Sequence, residues 1–493
     1  MTDLIKRILL GLGVALALVV VVLLVRTMTA SSRQVPVTPQ TVVVSDPDGA
    51  AQRLAEAVRF RTIASVDPAA LDPAPFAAFH AWIQQTYPGL SGVLRPELVA
   101  GQSLLYTWKG LDPSLPPLLL LAHQDVVPVE ESTLSDWEQP PFDGVVADGW
   151  IWGRGTMDDK VSLVGILEAV EALWRAGFQP QRTVLLAFGH DEEVAGAGAR
   201  AMAALLKERG LRFQLILDEG LAVTHGIVPG LDQPAALIGL AEKGYLSLEL
   251  VVAGQGGHSS MPPAHTAVGV LAEAITRLEA HPMPAHMDGP MSGMFAALGP
   301  EMGFPNKLVF SNLWLLGGVV RGKLEAGQST NASIRTTTAV TMIQGGVKEN
   351  VLPQEAIATV NFRILPGETI EDVLRHVESA VDDNRVTIRM RPGFRSEPPA
   401  VSSTTSPGWA VLERTVRQSF PDAVVAPGLS VGATDARAYA GLSDSIYRFS
   451  PLRLHKDTHD TGRLHGTNER ISVANFTEAV QFYGQLITNA AGP

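Results

Sequence analysis

The chain has 493 residues, 38 Lys and Arg against 50 Asp and Glu, no Cys, and 46% hydrophobic residues. That length holds two or three domains with sizeable cores, and a composition near the globular average excludes a disordered, collagen-like or coiled-coil protein. A net charge of −12 argues against a nucleic-acid partner. The absence of Cys excludes a disulfide scaffold, Cys-ligated zinc and a thiol nucleophile, so any metal must be held by His, Asp and Glu.

Residues 8–25 are apolar or Gly without a break, behind Lys6 and Arg7. As a helix the run is about 27 Å long, close to the roughly 30 Å hydrocarbon core, and it exceeds the about 7–15 apolar residues of a cleaved signal peptide. Residues 1–30 therefore predict a single-pass transmembrane signal anchor, with secretion after cleavage as the alternative. Residues 31–45 read as a tether, and the body lies outside the cytoplasm, periplasmic or extracellular. Asp46-Pro47 predicts a helix start, with a capping side chain and Pro at the first helical position, running to about Phe60. Strands over 117–122, 183–188 and 213–217 alternate with helices over 160–176 and 195–209. This alternation predicts an α/β fold, a mainly parallel sheet sandwiched by helices, in a first domain that begins at residues 46–241.

After Ala241 the pattern changes. Alternating strands over 245–252, 356–364 and 385–390, with helices over 266–279 and 369–380, predict an inserted α+β domain over residues 242–393. Residues 286–330 are rich in Gly and Met and give no clear period. Residues 394–493 return to the first domain, with helices over 409–420 and 473–487.

The polar residues collect where strands end. His123-Gln-Asp125 follows the first apolar strand, His190-Asp191-Glu192-Glu193 the second, and Asp218-Glu219 the third; Asp158-Asp159 stands just before a helix. Singly, each has a plainer reading: a hydrogen-bonded core His, a solvated first helical turn, a helix cap. Together they deliver imidazole and carboxylates to one edge of an open parallel sheet, where ligands bind. Crowded carboxylates repel, and divalent cations relieve the repulsion. Such a donor set suits zinc, and less well manganese or cobalt. Two metals can share a bridging carboxylate and a water whose proton a spare carboxylate accepts, which is the chemistry of amide hydrolysis without a covalent intermediate.

The motifs His123-Gln-Asp125-Val-Val-Pro, Gly153-Arg-Gly-Thr-Met-Asp158-Asp159-Lys160, Gly189-His-Asp-Glu192-Glu193, Asp218-Glu219-Gly220, Gly257-His258-Ser-Ser and His465-Gly-Thr-Asn-Glu469 occur in that order over roughly residues 55–487. In them the chain resembles the di-zinc metallopeptidases and aminoacylases that include carboxypeptidase S, glutamate carboxypeptidase and dipeptidase V. Ile334-Arg-Thr-Thr-Thr-Ala, Val360-Asn-Phe-Arg363-Ile-Leu-Pro-Gly and Ile446-Tyr-Arg-Phe narrow the likeness to the carboxypeptidase S and N-fatty-acyl-amino-acid synthase/hydrolase branch. The resemblance implies two Zn2+, replaceable by Co2+ or Mn2+. It implies His123 and Asp218 on one metal, Glu193 and His465 on the other, and Asp158 as the bridge. Asp125 orients the His123 ring, and Glu192 is the general base. The insert becomes a lid whose His258 stabilises the oxyanion, sometimes across a homodimer. Asn350, Arg363 and Gly432, with Thr434-Asp435, match substrate-binding positions. Val161 departs from the family, much of which has Gly there.

The activity so implied is cleavage of an amide bond next to a free carboxylate, in N-acyl amino acids, N-fatty-acyl ones among them, with condensation as the reverse reaction. The alternative is a carboxypeptidase or dipeptidase acting on small peptides. A non-catalytic binding protein on the same fold predicts a broken ligand set, whereas every ligand position and Glu192 are present. A serine hydrolase requires a Gly-x-Ser-x-Gly elbow beside a suitable strand, and none is expected.

Overall fold

The computed structural model describes residues 2–194 and 196–492. The apolar N-terminal run is helix α1 (Thr2–Thr29), followed by an extended segment and α2 (Pro47–Val58). The Asp46 side chain accepts the Gly49 N–H at 2.9 Å, and Pro47 opens the helix, so α2 begins where a capping carboxylate and a fixed φ coincide. Next come α3 (Ala74–Thr86), α4 (Pro88–Val93), β1 (Glu97–Val99), β2 (Ser103–Trp108), β3 (Leu118–His123), β4 (Val145–Ala147), β5 (Trp150–Trp152), α5 (Lys160–Arg175), β6 (Val184–Gly189), α6 (Ala197–Glu208), β7 (Leu215–His225) and β8 (Ala235–Glu242).

A second run holds β9 (Gly244–Ala253), β10 (Gly257–His258), α7 (Ala267–Ala280), α8 (Pro290–Leu298), α9 (Phe304–Ser311), α10 (Leu313–Ala326), α11 (Gln328–Ile334), β11 (Thr337–Gly345), β12 (Val351–Leu352), β13 (Glu355–Ile364), α12 (Ile370–Val381) and β14 (Val386–Met390). The chain closes with α13 (Pro407–Ser419), β15 (Val424–Ser430), β16 (Ile446–His455), β17 (Arg470–Ser472) and α14 (Val473–Ala491).

The main sheet has eight strands in the order β1-β2-β6-β3-β7-β16-β8-β15. The pairs β6–β3, β3–β7, β7–β16 and β8–β15 are parallel, while β1 and β2 add an antiparallel edge. The apolar strands have no polar face because both faces are covered. Leu118 and Leu120 point into a core shared with α2, α5, α13 and α14, and Leu119 and Leu121 into one shared with α6. A four-stranded antiparallel sheet, β11-β13-β9-β14, forms separately. One face of it, from Leu246, Leu248 and Leu250 to Val360 and Phe362, buries against α7 and α12. A capping box between Thr369 and Asp372 starts α12.

Two differences from the sequence reading bear on the site. Residues 290–334 are four helices of seven to fourteen residues, broken by Gly303, Asn312 and Gly327. Ala297, Leu298 and Met302 of this stretch pack on Ala235, Val424 and Ala426 at the edge of the main sheet. Strand β7 runs eight residues past the expected end at Leu217. Its pairing with β16 passes from Asp218 opposite Arg448 to Leu221 opposite Phe449, so Glu219 and Gly220 form a bulge. At Gly220 (φ 147°) a Cβ would sit 2.6 Å from the Arg448 Cβ, so only Gly fits.

Candidate metal centre

Strand β3 delivers His123 to the carboxyl edge of the sheet. Its Nδ1 lies 2.9 Å from the Asp125 carbonyl oxygen and 3.3 Å from Asp125 Oδ1, which turns Nε2 outward. The Asp125 carboxylate also accepts the Glu192 and Glu193 N–H groups, each at 3.1 Å. One buried carboxylate thus fixes both the imidazole and the turn after β6.

His123 Nε2 is 2.9 Å from Asp158 Oδ1 and 3.4 Å from Glu219 Oε1. On the far side of Asp158, His465 Nε2 is 3.0 Å from Oδ2 and 3.2 Å from Glu193 Oε1. Asp158 therefore stands between two imidazoles, one on each oxygen. The ligand atoms of His123, Asp158 and Glu219 lie within 4.8 Å of one another, as do those of Asp158, Glu193 and His465.

His465 reaches the cluster because its loop is tied to the loop carrying Asp158. Arg154 donates to Glu469 Oε2 at 2.6 Å and to the His465 and Gly466 carbonyls at 3.1 Å. Glu469 Oε1 accepts the Gly155 and Met157 N–H groups at 2.9 and 2.8 Å. His465 itself takes the left-handed conformation, φ 57°. Burial pushes the Glu469 carboxyl up to about 7, against the Arg154 charge and the backbone donors.

Charges are concentrated here. The Asp158 and Glu193 carboxylates, 3.0 and 3.2 Å from its Nε2, raise His465 to about 10. Burial works to lower His123, but the Glu219 charge and bonds to Asp125, Asp158 and Glu219 hold it well above the ordinary imidazole range. Burial, with the charges of Asp435, Asp125 and Glu193, raises Glu192 well above a normal carboxylate. Glu219 is raised by burial and by Asp158 and Asp159.

Of the expected ligands, His123, Asp158, Glu193 and His465 come together. Asp218 does not join them. Its Oδ2 accepts the Ala436 N–H at 2.6 Å and its Oδ1 the Glu219 N–H at 3.0 Å, beside the Arg448 charge. The bulge aims the next residue, Glu219, at His123 instead. An acid-Gly pair at a strand end is the sequence signal for such a bulge. Asp125 has its expected orienting contact, and the Glu192 backbone is fixed beside the cluster.

His258 lies exposed on β10, its Nδ1 2.8 Å from Ser260 Oγ. The Asn350 carbonyl accepts the Ser259 N–H at 3.2 Å on the adjoining segment. Arg363 sits on β13 with its guanidinium 4.8 Å from the Tyr245 ring centre. Gly432 is exposed, its carbonyl accepting Ser430 Oγ at 3.2 Å. Among the described residues these four make no hydrogen bond or ion pair with the cluster. A Gly-x-Ser-x-Gly pattern does occur, Gly428-Leu-Ser430-Val-Gly432 at the end of β15, contrary to the sequence expectation. Ser430 bonds within its own loop and to no imidazole among the described residues, so no nucleophilic pair is formed.

The residues suit divalent cations. Among the described residues Glu193 Oε1 is buried and makes no hydrogen bond, with His465 Nε2 3.2 Å away as its ion-pair neighbour. Both oxygens of Asp159 and of Asp435, buried next to the cluster, are likewise unpartnered. Each triad is a mixed imidazole–carboxylate set with three protein ligands, the pattern of catalytic zinc sites. The sequence does not announce Glu219 as a neighbour of His123, nor the Arg154–Glu469 clasp, whose logic depends on loops far apart in the chain.

The profile of peptidase family M20/M25/M40 matches residues 119–489. The chain is 43% identical to a probable carboxypeptidase S-like 2 of Dictyostelium discoideum, over 89% of this chain and 84% of that one. It is 43% identical to the N-fatty-acyl-amino acid synthase/hydrolase PM20D1 of Xenopus tropicalis, over 84% of this chain and 80% of that one. A crystal structure of an M20 family metallo-carboxypeptidase, Sso-CP2 of Sulfolobus solfataricus, superposes with a TM-score of 0.63 at 17% identity, covering 89% of this chain and 98% of that one, a likeness of fold.

Proposed function

The chain belongs to peptidase family M20/M25/M40 and is a metallopeptidase-family enzyme, and on that premise we propose that it hydrolyses the amide bond of N-acyl amino acids, N-fatty-acyl ones among them, next to a free carboxylate. The observation that carries the reading is Asp158 shared between two His–carboxylate sets. In this reading His123, Asp158 and Glu219 hold one Zn2+, and Asp158, Glu193 and His465 the other, with Glu219 in the place expected for Asp218. When bound, such ions polarise an amide carbonyl and acidify water.

The chain's own residues do the rest. Glu192, raised in pKa beside the cluster, takes a proton from the attacking water and passes it to the leaving nitrogen. Oxygen bonds to the acyl carbon, the C–N bond breaks, and a fatty acid and a free amino acid leave; condensation is the same path reversed, with water expelled. His258 donates to the oxyanion, supplied by the β9–β14 unit acting as a lid or by the lid of a homodimer partner. Arg363, Asn350 and Gly432 receive the substrate carboxylate and its surroundings; a guanidinium fork matches a carboxylate. Helix α1, whose most apolar 18-residue stretch has a mean hydropathy of 3.3 and is not buried by the body, is a signal anchor with the body outside the cytoplasm.

Purified protein assayed with oleoyl-phenylalanine and with dipeptides tests the substrate class. Turnover of the acyl substrate supports the reading. Dipeptide turnover alone would establish the carboxypeptidase or dipeptidase reading that the Dictyostelium relative's name favours.

A further inference from the structure

We propose that α9 and α10 form a second membrane contact, an apolar and cationic shoulder that lies on an anionic phospholipid leaflet beside the emerging anchor. The inference rests on reading α1 as a membrane-embedded helix.

The shoulder is clasped to the anchor at the level where the apolar run ends. Asn312, buried between α9 and α10, donates to the Leu23 carbonyl and to Thr27 Oγ1, both at 3.2 Å, and to the Leu308 carbonyl at 2.8 Å. Arg26 Nε donates to the Ser311 carbonyl at 3.2 Å, a cation at the C-terminus of α9. The apolar run stops at Val25. A helix junction bonded to residues 23–27 therefore sits at the boundary between hydrocarbon and headgroups.

Helix α10 is apolar on both sides. Leu313 and Leu324 pack inward with Phe310 on Met291, Phe295 and Ile334. Outward, Trp314, Leu315, Gly318, Val319 and Gly322 recur at spacings of three and four, one helical face. Trp314 is 57% exposed, Leu315 48% and Val319 61%, and Phe304 of α9 is 57% exposed. Scattered exposed apolar residues are ordinary on a soluble surface, but a continuous face of this kind marks an interaction site. Trp is the side chain enriched at headgroup level.

Charge identifies the partner. Between Glu301 and Glu325 the chain has Lys307, Arg321 and Lys323 and no acidic residue, and between Asp3 and Asp46 it has none either, within a protein of net charge −12. A cleft of about 400 Å³ between the base of α1 and α8–α9 is lined by Arg26, Arg33, Thr29, Ser31 and Ser311. Two guanidiniums with hydroxyls suit a phosphodiester headgroup. An apolar face rimmed by Lys and Arg is the composition of helices that lie in the plane of an anionic leaflet. Such seating holds the catalytic body against the layer where fatty-acyl substrates partition.

The test uses the full-length protein reconstituted into vesicles of phosphatidylcholine and phosphatidylglycerol with acyl chains brominated near the headgroup. Emission of Trp314 is taken as the difference between wild type and W314F, and an alkaline carbonate wash reports separately whether α1 is inserted. Loss of most of the Trp314 emission in wash-resistant protein, weaker in vesicles of phosphatidylcholine alone and weaker again in R321Q/K323Q, supports the proposal. Full Trp314 emission in wash-resistant protein overturns it while the anchor reading stands, and dimerisation of that sample would assign the face to a second copy. Quenching in protein that the wash removes defeats the anchor reading and, with it, the placement of the shoulder beside an inserted helix. Equal quenching in neutral and anionic vesicles overturns the headgroup assignment.

Discussion

The metal cluster and the separate antiparallel unit hold their polar residues in opposite ways. His123 is buried, Asp158, Glu193 and Glu219 are half-buried, and each is held against a partner from another segment; only His465 stands at the solvent rim. His258 and Asn350 are exposed, and their bonds lie within the two adjoining segments 257–261 and 348–352, away from the cluster. The metal-holding half of the proposed machinery is thus built into strands β3 and β7 and into loops clasped to the body by Asp125, Arg154 and Glu469, which cannot shift without disturbing a close-packed core. The oxyanion-binding half rides on a second core joined to the first around residues 242–244 and 390–402. Preorganised donors account for the largest single terms in catalysis, so the first half should be intolerant of change and the second graded.

The largest expected effect breaks the first half outright. Asp158→Ala removes the oxygens that both triads share, so elemental analysis should find both metals lost and hydrolysis at background. Glu219→Gln should lose one metal, while Asp218→Asn, which alters only a backbone clasp, should keep both. Metal loss in Asp218→Asn with full occupancy in Glu219→Gln would reverse that assignment. Glu192→Gln comes next: metal content unchanged and kcat down by about 10²–10⁴-fold, the contribution of a positioned general base. An active Glu192→Gln would place the base elsewhere.

Much of this cluster was legible in the sequence because strand geometry does the assembling. Apolar runs ending in His123, in the Glu192-Glu193 pair and in Asp218-Glu219 necessarily present those residues at one edge when the strands are parallel. The same logic placed α2, α5, α13 and α14 to within a few residues. Choosing between Asp218 and Glu219 was beyond it, because a bulge of two residues decides which side chain faces inward, and pairing opposite Arg448 cannot be read from β7 alone. His465 entered through resemblance; its approach depends on Arg154 and Glu469 bonding across more than three hundred residues. Helices α8, α9 and α11, of nine, eight and seven residues, are shorter than the window a helical period needs, and α10 carries apolar residues on both sides, which blurs its period against the core.

The second half is sharpened by His258→Ala. With metals retained, kcat should fall by about 10²–10³-fold, the usual cost of losing one oxyanion donor, and KM should move less. A variant with unchanged kcat would leave the β9–β14 unit without a chemical role.

The smallest effect falls at the joint between the two regions. Lys243 follows the last residue of β8 and precedes β9, and its Nζ donates to the Ala332 and Arg335 carbonyls at 2.8 and 2.7 Å. Burial, helped by the Arg363 charge, pushes its amine down to about 7, although Glu368 acts the other way. A neutral amine still carries the hydrogens for both bonds. Unfolded, the same Lys titrates near 10.4, so between about pH 7 and 10 the unfolded chain holds a proton that the folded chain has shed. Stability from this group therefore rises with pH across that window, by at most about 1.4 kcal/mol per unit, and is flat below it, where both states are protonated. Lys243→Met removes the titration. Urea midpoints of wild type and variant should run parallel below pH 7, and above it the wild type should gain on the variant. A constant difference from pH 6 to 10 would mean that the folded protein keeps Lys243 charged, with the two carbonyls and Glu368 outweighing burial at the joint.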